Sequence, residues 1–245
     1  MTSGNRANQK FINWLRVTKR NISKIPAGAY FANKVRKTIF RYWFKNQEEL
    51  FTYYFNTNKW GNKESLSGPG SSFSATEKIR KHLPNLLNEL KVHTILDAPC
   101  GDYYWFKLIS LPPDLEYIGG DIVNKVIDLN NKQFGNGQTR FIHLDILVDK
   151  LPEVEIWLCR DVLFHFSFND VEKVFENLKN SRIRYFLSTT YPETNQNIDI
   201  ETGDFRPINL EIEPFNLPVP LIYLDDSSAD QPGKKLGLWD VTKIF

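Results

Sequence analysis

Four aspartates stand at the ends of apolar runs in the middle of this chain: Asp97 closes "HTILD", Asp121 closes "LEYIGGD", Asp145 closes "RFIHLD" and Asp161 closes "EIWLCRD". A single aspartate after a strand is ordinarily a turn or cap residue. Four at one edge of a sheet would converge on one crevice, where repulsion and burial cost stability unless a ligand brings hydroxyl or ammonium donors. Just past Asp161, His165 offers an imidazole that titrates near neutrality and can take a proton from a hydroxyl. Its other reading is a histidine packed among Phe164, Phe166 and Phe168. Asp161 would orient either that histidine or the group that reacts with it.

Such residues need a scaffold that brings strand ends together. The apolar runs at 93–97, 115–121, 140–145, 155–161 and 184–190 alternate with helical patterns: "YYWFKLISL", "VNKVIDLNNKQF", and a helix after "SFND" with Val171, Val174, Phe175 and Leu178 on one face. Strand and helix alternating at this pitch predict right-handed crossovers and a doubly wound α/β fold, its mostly parallel sheet covered on both faces. Ligands of such sheets bind beyond the carboxyl ends of the strands. Ahead of the first strand, "TEKIRKHLPNLLNEL" places Ile79, Leu83, Leu86, Leu87 and Leu90 on one helical stripe, with a potential kink at Pro84.

The 245 residues, 41% hydrophobic and 24% charged, suit one globular domain with additions. Cys100 and Cys159 lie in apolar segments, and their spacing suggests neither a disulfide framework nor a metal site, so a reducing, cytoplasmic setting is expected. No run approaches the roughly 18 apolar residues of a membrane span. The net charge of +2 conceals an asymmetry: residues 1–47 carry eleven Lys or Arg and no acid, leaving 20 basic against 29 acidic residues for the remainder. Within that basic arm, Phe11, Trp14, Leu15, Ile22 and Ile25, then Phe31, Val35, Ile39, Phe40, Trp43 and Phe44, recur near helical spacing around Pro26 and Gly28. A pair of basic amphipathic helices is expected, docked on the domain, on an anionic membrane surface, or, less favoured, on nucleic acid. The plan is a helical extension over 1–57, a Gly/Ser-rich loop over 58–75 able to fold over a ligand with Trp60 as an apolar lid, and the main domain over 76–245.

The stretch "LDAPCGD" resembles the first motif of the class I S-adenosylmethionine-dependent methyltransferases, a strand ending in an acid followed by a Gly-rich turn. Asp121 lies 24 residues after Asp97, where members of that family hydrogen-bond the ribose hydroxyls, and Asp145 resembles the residue that accepts from the adenine amino group, with Ile122 and Ile146 bordering the ring. The resemblance implies S-adenosylmethionine as cofactor, held by Asp97, Pro99, Gly101, Asp121, Ile122, Asp145 and Ile146, and a seven-stranded Rossmann-like sheet closed by an antiparallel pair from "PLIYLDD" and "LGLWDVTKIF". Together with "ESLSGPGSS", "CRDVLFH" and "GDFRPINL", it also looks like a set of small bacterial methyltransferases over 58–245.

The turn departs from the family's alternating glycines, with Pro99, Gly101 and Tyr103 at those positions, and Pro99 removes a backbone donor. A dinucleotide is disfavoured, because the G-x-G-x-x-G that admits a pyrophosphate is absent. Cys100 sits inside the turn rather than after a later strand, which argues against a pyrimidine-type cysteine nucleophile. No Asn or Asp followed by Pro-Pro-aromatic follows the fourth strand, against methylation of nucleobase amines.

The segment 191–220, rich in Pro and Asn, is long enough to choose a substrate. Tyr191 and Arg206 are its candidate substrate contacts, and its mixture of aromatic and polar residues suggests a small-molecule or glycan-type acceptor methylated at oxygen, with His165 as base. The competing expectations are an RNA-modifying or RNA-binding methyltransferase that uses the basic arm, and a non-catalytic cofactor-binding protein at a membrane.

Overall fold

In a computed structural model of the protein, residues 43–245 are described here. The chain divides into two units, Met1–Leu50 and Phe51–Phe245. The two basic helices expected within residues 1–47, and with them the proposed membrane or nucleic-acid contact, lie essentially outside the described residues. Among those described, no helix is long and apolar enough to cross a membrane.

Seven strands, β1 (Thr94–Asp97), β2 (Glu116–Asp121), β3 (Thr139–His143), β4 (Ile156–Cys159), β5 (Tyr185–Thr190), β6 (Ile222–Asp225) and β7 (Lys235–Asp240), form one sheet in the order β3-β2-β1-β4-β5-β7-β6. The first five are parallel; β7 runs antiparallel to β5 and to β6. The order reverses beside β1, where chain leaves to β2 on one side and β4 on the other, which opens the crevice that a ligand of a doubly wound sheet uses.

Alternation along the strands divides the core in two. Ile95, Ile156, Leu158, Leu187 and Leu238 pack on one face with Ile79, Leu83, Leu86 and Leu87 of a helix over Glu77–Leu90. Leu96, Trp157, Phe186 and Trp239 pack on the other with Val171, Val174 and Leu178 of a helix over Phe168–Lys179. We number the helices α1 (Gln47–Thr57), α2 (Glu77–Leu90), α3 (Asn124–Phe134) and α4 (Phe168–Lys179). Pro84 lies inside α2 without ending it. Helix α4 starts where Ser167 Oγ accepts from Asp170 N at 3.2 Å, one of the otherwise unpaired first-turn donors. Gly237 in β7 is required by packing: a Cβ there would lie 2.4 Å from the Trp239 ring.

One expected helix is absent. "YYWFKLISL" forms only a 3-10 turn over Phe106–Leu108, because Tyr103 takes a left-handed φ of 56° and its neighbours turn their rings inward. Tyr103 lies 5.1 Å from Tyr117 and 5.0 Å from Phe141, centroid to centroid, and Phe106 lies 4.6 Å from Tyr117. Burying a close aromatic cluster outweighs completing one helical turn. The segment 191–220 contains no helix or strand, yet it is tightly stitched: Asn197 Nδ2 donates to the carbonyls of Asn209 and Glu213, and Asn209 Nδ2 to those of Pro192 and Thr194.

Candidate active site

Parallel pairing puts Asp97 opposite Gly119 of β2 and Leu158 of β4, so the ends of three strands share one edge. The turn after β1 is sewn between its neighbours, Ala98 N donating to Leu158 O at 3.0 Å and Cys100 N to Gly120 O at 2.8 Å. Asp97 is buried, and Tyr117 Oη donates to its Oδ2 at 2.8 Å. Burial raises its pKa to about 7, with Asp121 adding to the rise and the Tyr117 bond and Arg160 opposing it. Asp121 accepts Gly101 N on Oδ2 at 3.0 Å and Val123 N on Oδ1 at 2.9 Å. Burial pushes it up to about 6 against those bonds. Ile122 adds a third backbone bond to the carboxylate, so three backbone amides hold Asp121 in place at the strand end.

Pro99 brings no N–H to this turn, and the amides of Ala98, Cys100 and Gly101 are all taken up within the protein. Recognition of a cofactor here therefore falls to side chains. Gly101 has φ 55°, and a Cβ there would lie 2.1 Å from Ser67 Oγ. The segment 65–67 is folded onto the turn: Ser65 Oγ and Leu66 N donate to the Asp102 carboxylate at 2.9 and 2.8 Å, and Asp102 N donates to Ser67 Oγ at 2.9 Å.

Asp145 lies two residues beyond the end of β3 rather than closing it. Half-buried, its Oδ1 accepts Leu147 N at 2.9 Å, and burial above all raises its pKa. Ile122 is half-buried against Phe55, Val123 and Val126, whereas Ile146 belongs to the α4 side of the core. Phe51 of α1 packs against both groups.

At the end of β4 stands a charge network that pattern reading did not find. Arg160 Nε and Nη2 grip Asp226 at 2.9 and 3.1 Å, and its Nη1 lies 3.1 Å from Asp161 Oδ2. Lys234 Nζ donates to both Asp161 oxygens at 3.1 Å and lies 3.2 Å from Asp226 Oδ2. Arg160 Nη2 also donates to Gly70 O at 2.9 Å, tying the Gly/Ser-rich loop to the network. Asp161 has φ 57°, and its N donates to Thr189 Oγ1 at 2.9 Å. Burial would raise the Asp161 pKa, but Arg160 and Lys234 overcome it and hold the carboxylate low. No sequence signal marks these partners: Lys234 reads as a turn lysine in "PGKKLG", and Asp226 as the tail of a strand.

His165 sits in a 3-10 turn over Leu163–His165. Its Nδ1 lies 2.6 Å from the carbonyl of Asp204, which can only accept, so Nδ1 carries the proton and the neutral ring leaves Nε2 as the base. Burial lowers its pKa below the ordinary 6.5, with the Asp204 bond and Asp161 opposing. Trp60 and Phe205 flank it at 6.4 and 5.8 Å, while Gly203 N donates to His165 O at 2.7 Å. Tyr191, also buried, feels Asp161, Asp226 and Arg160, and its hydroxyl has no partner.

Arg206 is placed otherwise than a surface ion pair would be. Its guanidinium is buried, donating from Nε to Ile198 O at 3.1 Å and from Nη1 to Leu163 O at 3.0 Å, so it fastens the 198–206 segment beneath His165. Burial lowers its pKa to about 10. Asp97 with Asp121 and Asp161 with His165 and Tyr191 are thus brought together as two groups along one edge, joined electrostatically through Arg160. Asp145 lies beside Asp149, and His143 acts on both Asp145 and Asp121, while Leu144 N donates to Asp121 O at 3.0 Å.

No protein-family model matches the sequence, and no curated protein matches it. Solved structures do resemble the fold. The methyltransferase domain of bacterial CtHen1 aligns over 68% of this chain and 99% of its own length at 11% identity, TM-score 0.51. The magnesium protoporphyrin IX methyltransferase ChlM of Synechocystis PCC 6803, solved with bound SAM, aligns over 80% and 97% at 13% identity, TM-score 0.52. PigF, solved with SAH, aligns over 67% of this chain and 55% of its own length at 9% identity, TM-score 0.52.

Proposed function

We propose that this chain, whose fold is that of the class I S-adenosylmethionine-dependent methyltransferases, is itself such a methyltransferase, acting at oxygen on a small-molecule or glycan-type acceptor in a reducing, cytoplasmic setting. The observation that carries this reading is the pair Asp97 and Asp121. Both are buried with pKa values raised to about 7 and about 6, burial outweighing the hydrogen bonds each receives within the protein. A nucleoside that is cationic and carries hydroxyls suits two such buried carboxylates: a ribose hydroxyl can donate to Asp121, and the positive charge offsets the burial of Asp97.

Asp145 would accept from the adenine amino group, bordered by Ile122 and Ile146. When bound, S-adenosylmethionine supplies a methyl group on a positively charged sulfur, open to in-line displacement. His165 takes the acceptor proton on Nε2, its tautomer set by Asp204 O. Asp161, kept ionised by Arg160 and Lys234, steadies the imidazolium that results. The loop over 58–75 serves as a lid that keeps water from the crevice, held down at Asp102 and Arg160.

Titration calorimetry with S-adenosylmethionine, on the wild type and on Asp121→Ala, is the test. The variant should lose one or two charge-assisted hydrogen bonds, roughly 1.5 to 3 kcal/mol each. An absence of binding to the wild type removes the reading, and unchanged affinity in the variant removes the ribose assignment. Radiolabelled methyl transfer into fractionated lipid, glycan and RNA pools then identifies the acceptor. The basic residues 1–47 are proposed, on composition, to meet an anionic membrane; liposome co-sedimentation that is lost when they are deleted is the expected result.

A further inference from the structure

Every carbonyl of the turn that carries His165 is met by the segment 203–206. Arg206 Nη1 donates to Leu163 O at 3.0 Å, Arg206 N to Phe164 O at 3.1 Å, and Gly203 N to His165 O at 2.7 Å. The ring belongs to the same grip, since His165 Nδ1 lies 2.6 Å from Asp204 O. Farther back, Ser167 N donates to Thr202 Oγ1 at 2.9 Å and Phe168 N to Asp199 Oδ1 at 2.8 Å, so the segment runs alongside the chain from 163 to 168. No helix or strand sets this register, because 191–220 contains neither.

Arg206 reaches both sides of that grip. Its Nε donates to Ile198 O at 3.1 Å while Nη1 holds Leu163 O, two donors at a fixed separation on one planar group. The residue is only 6% exposed, its Cζ stands 5.4 Å from the centre of the Phe168 ring, and its Nη2 is buried without a partner. Its donors therefore serve the protein rather than an acceptor. An unmet buried donor costs stability, and an apolar side chain of similar volume would fill the same space without that cost. What an apolar side chain could not do is bond Leu163 O and Ile198 O together and set a positive charge near the imidazole.

We propose that Arg206 is the positioning residue of His165: by clamping the 163–165 turn to the 198–206 segment it holds Asp204 O against Nδ1 and so fixes which ring nitrogen is left as the base. The inference rests on the methyltransferase reading with His165 as its base, and it replaces a substrate contact at Arg206 with a role exerted through the histidine. The charged groups that act on the ring are Asp161 from the end of β4, and Asp204 and Arg206 from the segment beneath it; the flanking Trp60, Phe164 and Phe205 carry none. Asp161 and Asp204 favour the imidazolium, whereas burial and Arg206 disfavour it. The arginine's charge thus works in the same direction as its hydrogen bonds, toward a neutral ring with a defined tautomer.

The test is nitrogen NMR of the full chain carrying isotope-labelled histidine, with the His165 signal assigned by its loss in His165→Ala. The wild-type ring should be a single tautomer protonated on Nδ1 and should titrate below 6.5. Arg206→Met, which removes charge and donors together, should show mixed tautomers and a raised pKa. Arg206→Lys keeps the charge but not the fork, so it should show mixed tautomers with the low pKa retained, a separation that a merely structural arginine would not give. Both variants should bind S-adenosylmethionine in calorimetry as the wild type does, which reports that they fold, and should lower turnover of an acceptor identified by label transfer by up to about 10²-fold. A folded Arg206→Met with the wild-type tautomer and titration overturns the role of Arg206 and leaves the methyltransferase reading standing. If Arg206→Met does not fold, a single wild-type tautomer in Arg206→Lys overturns it equally. Failure of the wild type to bind the cofactor removes both.

Discussion

Lys234 and Asp226 meet out of reach of water, Nζ 3.2 Å from Oδ2, with neither side chain exposed. Each shares a second partner of opposite charge, Asp161 for the lysine and Arg160 for the aspartate, so two cations and two anions close into a neutral buried ring. The ring joins the end of β4 to both ends of the β6–β7 connection. Removing one member strands the others: Lys234→Met should destabilise the protein by about 3–5 kcal/mol. Urea unfolding monitored by tryptophan fluorescence checks this, and a loss below about 1 kcal/mol would show that the charges are not held as a unit.

Gly101 gives a second prediction. With φ 55° and Ser67 Oγ 2.1 Å from where a Cβ would stand, Gly101→Ala must displace the 65–67 segment or strain the turn. Faster proteolysis between residues 58 and 75 is expected, together with about 1–3 kcal/mol of lost stability. Ser67→Gly in the same chain should recover part of the stability by removing the clash. No recovery would place the cost in the backbone alone.

His165→Ala should lower turnover by about 10²–10⁴-fold while leaving cofactor affinity unchanged. The histidine's pKa lies below 6.5 because burial disfavours its charged form, so the free base is already formed at neutral pH. Wild-type kcat/KM should therefore be level at neutral pH and fall on acidification through a value below 6.5. Full activity in the variant would retire the base.

Asp97 sets a pH dependence of stability in the absence of ligand. Its folded pKa of about 7 lies above the ordinary 3.8, so the folded state holds the proton more tightly than the unfolded state does. That contribution is complete below 3.8 and is lost as pH rises through about 7. The melting temperature should fall across that window, Asp97→Asn should flatten the decline, and S-adenosylmethionine should oppose it. A melting temperature that rises with pH in both proteins would contradict the burial of this acid.

Much of the scaffold was legible because strand and helix carry different periods. The five parallel strands appear within about two residues of their apolar runs, the closing antiparallel pair follows, and Ile79, Leu83, Leu86 and Leu87 face the core as the helical stripe requires. "YYWFKLISL" misled because Tyr103, Trp105 and Phe106 have helical spacing, yet the left-handed φ at Tyr103 and the aromatic cluster around Tyr117 are long-range preferences that no local pattern carries. The left-handed turn at Asp161 was equally hidden, since its carboxylate is held by Lys234, far along the chain.

By itself, then, the sequence determined the alternation of elements and hence the edge at which Asp97, Asp121 and His165 lie, because hydrophobic period is a local property of the chain. Only the tertiary structure decided which charges are shared, how His165 is oriented by Asp204, and that Tyr191 and Gln231 are left wanting partners. Those depend on distances between residues remote in sequence, and the energy of a buried hydrogen bond or ion pair is set by distance and burial, neither of which residue order records.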